Sequence, residues 1–156
     1  FDQFTSSKRA SFFTGYTYSG HPIACAAGLA VLRHIKKHGL VERSAKMGDS
    51  LFRRFEDLKE MPIVGDIRGK GLLLGIELVQ DKEKKTPFER TKRIAETVAR
   101  KAFDRGLVVV PGHGFEDGVV GDILMLAPPF IVTETEIDTI FDLLRESILE
   151  VQKSIM

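Results

Sequence analysis

The chain holds 156 residues, 43% hydrophobic and 29% charged, enough for one domain with its own core. Twenty-three Lys and Arg against twenty-two Asp and Glu leave a formal charge of +1, and the basic residues are dispersed, which argues against a nucleic-acid partner. Cys25 is the only cysteine, which excludes an internal disulfide framework and a cysteine-rich metal site and fits a reducing, cytoplasmic setting; the apolar stretches fall far short of the ~20 residues of a membrane helix.

The first residues, Phe1-Asp2-Gln3-Phe4-Thr5, show neither an initiator Met nor a charged-then-apolar leader. They read as an excerpt of a longer polypeptide. Residues 1–21 are rich in Ser, Thr, Gly and aromatics and have no clear period. A helix is expected to open at Pro22, where the fixed φ and missing N–H suit the first helical position. Ile23, Ala26, Ala27, Ala30, Val31 and Ile35 are expected to form a buried stripe, and Lys36, Lys37, His38 and Gly39 mark the helix end. Ala24, Ala27 and Gly28 make a small-residue patch open to close backbone approach.

A second helix spans roughly Leu40 to Glu60, with Leu40, Met47, Leu51, Phe55 and Leu58 on one face. Ile63 to Val79 reads as two strands bent or joined near Gly69 and Gly71, and Asp81 to Arg90 as a charged connection. A third helix is expected from about Thr91 to Arg105, with Ile94, Val98, Ala102 and Phe103 inward. Leu107 to Val110 then forms a short buried strand, and Pro111 to Asp122 a glycine-rich loop. Ile123 to Leu126 is a further strand, stopped by Pro128-Pro129. Thr133 and Glu136 form a capping box that opens a last helix with Ile137, Ile140, Phe141, Leu144, Ile148 and Val151 on one face. The sequence of elements points to an α+β two-layer domain, an antiparallel or mixed sheet with helices on one face.

The segment Gly15-Tyr16-Thr17-Tyr18-Ser19-Gly20-His21-Pro22 places hydroxyls and free N–H groups ahead of a helix N-terminus. Such a terminus attracts anions, although on spacing alone Thr17 or Ser19 reads more readily as a helix cap. Other motifs fail. Gly65 to Lys70 has the wrong spacing for a P-loop, and Gly69, Gly71 and Gly75 miss the dinucleotide pattern. His34 and His38 lie at i and i+4 but lack a third ligand, so no metal site is expected; His38 instead complements the helix dipole. His113 reads as a surface loop residue, His21 as structural, and Arg68 and Glu77 as a pair at a seam or in solvent.

Gly15 to Pro22 followed by Ile23-Ala24-Cys25-Ala26-Ala27-Gly28 resembles a signature of the class III aminotransferases, of the omega-amino acid:pyruvate type. Arg68 to Leu78, Gly106 to Val109 and Leu126 to Ile131 fall in the same order as that family's segments. The resemblance implies fold type I and pyridoxal 5'-phosphate as cofactor. It also implies a homodimer in which the residue matching Thr17 hydrogen-bonds the cofactor phosphate across the interface, with a backbone contact from Tyr16. Residues 1–38 would then end the large cofactor-binding domain and its connecting helix, and 39–156 would be the small C-terminal α+β domain. The family's Schiff-base Lys lies upstream of any residue in this chain. Lys8, the only Lys before Thr17, does not resemble the family motif and reads as solvated. The Asp that pairs with the pyridine nitrogen is absent too, so the chain should be inactive alone.

Many relatives clamp a substrate carboxylate with an Arg on the segment leading to Pro-Pro. No Arg lies between Arg105 and Arg145 here, which favours an amine or omega-amino donor over an α-amino acid, with an oxo acid such as pyruvate as acceptor. An aminomutase of the same family, or a free-standing α+β interaction module without catalysis, are the competing expectations.

Overall fold

The computed structural model describes residues 15–115 and 117–155; Lys8 lies outside them. The described chain divides into two compact units at Gly39/Leu40. The first consists of a turn and helix α1 (Pro22–Lys37), with Pro22 in its first turn; no residue of the helix is buried, contrary to the buried stripe expected from Ile23 to Ile35, because no described residue packs over that face. His38 caps its C-terminus and Gly39 follows at φ +58°, the left-handed conformation that commonly ends helices.

The second unit contains α2 (Leu40–Phe55), a 3₁₀ turn (Glu56–Glu60), β1 (Val64–Lys70), β2 (Leu73–Leu78), a 3₁₀ turn (Arg90–Lys92), α3 (Ile94–Asp104), β3 (Val110–Gly112), β4 (Asp122–Leu126) and α4 (Glu134–Ile155). The four strands form one antiparallel sheet in the order β1-β2-β4-β3. Alternation along the strands decides the faces. Leu74, Ile76 and Leu78 of β2 and Leu124 and Leu126 of β4 turn toward the helices and are buried. The helices answer with apolar stripes: Met47, Leu51 and Phe55 from α2, Ile94, Val98 and Ala102 from α3, and Ile137, Phe141, Leu144, Ile148 and Val151 from α4. Each of these stripes matches the sequence expectation. Phe103, expected inward on α3, is 68% exposed.

Two close fits lock the unit. Gly48 of α2 lies against the hairpin turn, where a Cβ would sit 2.4 Å from the Gly71 carbonyl oxygen. Gly71 itself holds φ +56°, so the pair brings helix and hairpin backbones into direct contact. At the other end, Arg54 stacks 3.6 Å over the Phe141 ring and reaches Asp138 at 2.9 Å and Asp142 at 3.2 Å, tying α2 to α4.

Three boundaries differ from expectation. α2 ends at Phe55, and the stretch to Glu60 tightens into 3₁₀ geometry. α3 begins at Ile94, because Arg93 adopts φ +49° and interrupts any helix started at Thr91. The third strand is Val110–Gly112, not Leu107–Val110: Leu107 and Val109 are buried as expected, but pairing with β4 begins only at Val110. The Thr133–Glu136 capping box is present in full, with Thr133 N donating to Glu136 Oε2 at 2.8 Å and Glu136 N to Thr133 Oγ1 at 3.3 Å.

Candidate functional site

In the first unit, the polar segment before α1 is a tight turn. Ser19 N donates to the Tyr16 carbonyl at 2.9 Å and His21 N to the Tyr18 carbonyl at 3.1 Å. Gly20, at φ +76°, lets the chain reverse into the helix. The cap is His21, whose Nδ1 accepts from Ala24 N at 3.5 Å. Neither Thr17 nor Ser19 caps the helix; Ser19 Oγ accepts instead from Tyr16 N at 3.0 Å. Thr17 is exposed, and its hydroxyl has no hydrogen-bond partner among the described residues. Tyr16 and Tyr18 are exposed on the same turn. A hydroxyl with no partner among the described residues, beside a helix N-terminus, is suited to an anion with several acceptor oxygens. The Tyr16 N–H, in contrast, is already used by Ser19. His34 and His38 stack with ring centroids 4.3 Å apart, and among the described residues no three metal-ligating side chains cluster.

The second unit presents two charged features near its sheet. On the outer face of the hairpin, Arg68 Nη1 donates to Glu77 Oε2 at 2.6 Å and Asp66 Oδ2 at 3.0 Å. Arg68 and Glu77 are therefore partners within the hairpin. Partial burial works against ionisation of Asp66, but the bonds from Arg68 and from Ile67 N–H and the charges of Arg68 and Lys59 outweigh it and hold the carboxyl below its ordinary value.

The other feature is Asp122, at the start of β4 and 2% exposed. Its Oδ1 accepts from Ala95 N at 2.9 Å, so a strand residue caps α3 across the fold where Arg93 makes no side-chain cap. Sequence reasoning missed this residue, because the partner is 27 positions away. Burial pushes the Asp122 carboxyl above its ordinary value and Glu96 adds to this; the Ala95 N–H, Arg90 and His113 oppose it without prevailing. A raised folded-state value means that this group favours folding fully at acid pH and loses that contribution as pH climbs through its folded value. We therefore expect Asp122→Asn, which keeps an acceptor for Ala95 N, to hold or gain stability at pH 7, with its advantage over the parent shrinking by pH 4. Asp122→Ala, which orphans that N–H, should cost about 1–2 kcal/mol. Urea titrations of the three proteins at both pH values decide this.

The segment after β4 is fixed from a distance. Arg43 of α2 donates through Nε to the Phe130 carbonyl at 2.7 Å and through Nη2 to the Val132 carbonyl at 2.7 Å. Pro128, Pro129 and Phe130 are thereby held beside Leu72, Leu73 and Ser44, around a groove of about 530 Å³. His113 stands in the glycine-rich loop, with no resolved bond among the described residues.

Comparison with known proteins gives a consistent result. The family profile described as Aminotransferase class-III matches residues 2–148. Uncharacterized aminotransferase YodT of Bacillus subtilis (strain 168) is 37% identical over 143 residues, which cover 91% of this chain and 32% of that protein. An adenosylmethionine-8-amino-7-oxononanoate aminotransferase of Nitratidesulfovibrio vulgaris is 38% identical over 141 residues, 90% of this chain and 24% of that protein. Among solved structures, a transaminase from the marine bacterium Virgibacillus superposes with a TM-score of 0.83 at 33% identity, covering 98% of this chain and 34% of the other. The PMP-bound aminotransferase from Vibrio fluvialis gives 0.81 at 32% identity, covering 94% and 30%. The chain thus spans between about a quarter and a third of the length of the curated relatives it matches.

Proposed function

The chain belongs to the class-III aminotransferases, and from that premise we propose that it is the C-terminal part of a pyridoxal 5'-phosphate-dependent transaminase that moves an amino group from an amine or omega-amino donor to an oxo acid such as pyruvate. The observation that carries the reading is the turn ahead of α1, where an exposed Thr17 hydroxyl without a partner among the described residues adjoins a helix N-terminus. The cofactor, when bound, supplies the group that accepts and returns the amino nitrogen. Thr17 Oγ1 donates to its phosphate, and the positive end of α1 adds to the attraction. Tyr16 N–H joins only if its bond to Ser19 Oγ opens, so Thr17 is the principal contact on this chain and Tyr16 the secondary one.

Residues 1–38 are assigned to the end of the large cofactor-binding domain and 39–156 to the small domain. A homodimer completes the site, in the cytoplasm, and the Lys that attaches the cofactor comes from the remainder of the parent protein. This chain alone is therefore inactive. The donor class follows from charge: neither the loop 111–121 nor β4 holds a Lys or Arg to fork a carboxylate.

Borohydride trapping tests the reading. After incubation with equimolar pyridoxal phosphate and reduction, the full-length parent should carry one covalent pyridoxyl group by intact mass, and the 156-residue chain none. A parent without the adduct would remove the proposal.

A further inference from the structure

Thr17 has no hydrogen-bond partner among the described residues, so its place in the turn is set by its neighbours. The Tyr16 carbonyl on one side accepts from Ser19 N at 2.9 Å, and the Tyr18 carbonyl on the other accepts from His21 N at 3.1 Å. His21 is the residue through which this turn joins α1. Its own carbonyl accepts from Cys25 N at 2.9 Å, its Nδ1 accepts from Ala24 N at 3.5 Å, and the Tyr18 ring meets its imidazole edge-on. A displacement of His21 therefore moves the Tyr18 carbonyl and, with it, Thr17.

The cap departs from the usual one in its chemistry and its charge. Helix N-termini are commonly closed by Ser, Thr, Asp or Asn, and acidic residues are favoured in the first turn. Here the first turn holds no acidic residue, and residues 15–39 contain neither Asp nor Glu. An imidazole accepts through Nδ1 only when the ring is neutral and its proton is on Nε2. The Ala24 N–H is thus satisfied without a negative charge, and the positive end of α1 keeps its field. A carboxylate cap would make the same bond and repel an arriving phosphate. We propose that His21 is a positioning residue for the cofactor phosphate, a neutral cap that holds the Thr17 turn on α1 and leaves the helix terminus attractive to the anion. The inference rests on the transaminase reading and adds to it the residue that orients the phosphate contact.

The test titrates the full-length apoprotein with pyridoxal phosphate and follows the cofactor absorbance. His21→Ala removes the cap and should weaken binding about three- to tenfold. His21→Asn restores an uncharged acceptor for Ala24 N and should return the affinity to within about twofold of the parent. His21→Asp caps equally well, yet should bind about five- to thirtyfold more weakly than the Asn protein, by a gap that narrows at high salt. A role in folding alone predicts equal rescue by Asn and Asp, so this comparison isolates the phosphate and does not need the Ala protein to fold. Pyridoxal, which lacks the phosphate, should bind the Asn and Asp proteins alike. An Asp protein that binds pyridoxal phosphate as tightly as the Asn protein overturns the inference. An Asn protein no better than the Ala protein, or an equal gap with pyridoxal, does the same. Thr17→Ala, titrated alongside, separates the failures. If it weakens binding while the His21 series is flat, only this inference falls; if it too binds like the parent, the phosphate reading falls and takes this inference with it.

Discussion

Replacing Thr17 by Ala in the full-length parent is expected to weaken pyridoxal phosphate binding about ten- to hundredfold. A hydrogen bond to a charged acceptor contributes about 1.5–3 kcal/mol, and each 1.4 kcal/mol is a factor of ten in affinity. The expectation is specific to the hydroxyl, because Thr17 neither caps α1 nor bonds any other described residue. Its loss should leave the turn, held by Tyr16, Ser19 and His21, intact. Thr17→Ser should recover most of the affinity. Cofactor titration of the three apoproteins gives the answer, and an Ala protein that binds as tightly as the parent would show that the phosphate is held elsewhere.

The second large effect lies in the core. Phe55 is fully buried and meets the Phe141 ring edge-on at 5.4 Å, while Arg54 covers the other ring's face. Truncation to Ala removes this aromatic contact and leaves a void between α2 and α4, so Phe55→Ala should cost about 3–5 kcal/mol. Phe55→Leu should cost clearly less. Urea unfolding of the 156-residue chain measures both, and a loss below about 1 kcal/mol for the Ala protein would mean that the two helices do not pack through this residue.

How much of this was legible in the sequence depends on the range of the interactions involved. The apolar stripe of α4 and its capping box are local patterns, spaced three and four residues apart, and both are found as read. The strand pair around Gly69 and Gly71 is local too, because a short turn fixes its register. Where the deciding partner is remote, the reading shifted. Local spacing puts Arg93 inside a helix, whereas the side chain that caps α3 is Asp122 of β4. Leu107 to Val109 has strand-like alternation, yet β4 pairs only from Val110 onward, and pairing is a tertiary matter. At the candidate site, the choice of turn residues is visible, but not the division of labour within the turn: His21 is the cap, Ser19 Oγ accepts from Tyr16 N, and Thr17 has no partner among the described residues.

Among the described residues, the order β1-β2-β4-β3 leaves two strands with a free side, and each is guarded against its own kind. β3 has Pro111 in the middle of its three residues, so it lacks a donor where an incoming strand would seek one. β1 breaks register between Val64 and Asp66 and carries Asp66 and Arg68 on its length. Neither border is a flat, apolar template on which further copies could stack. Colloidal association of concentrated material is therefore directed to the exposed apolar side chains and away from the hydrogen-bonding rims of the sheet, and surface polarity, not strand capping, is the property to adjust when this chain is prepared at high concentration.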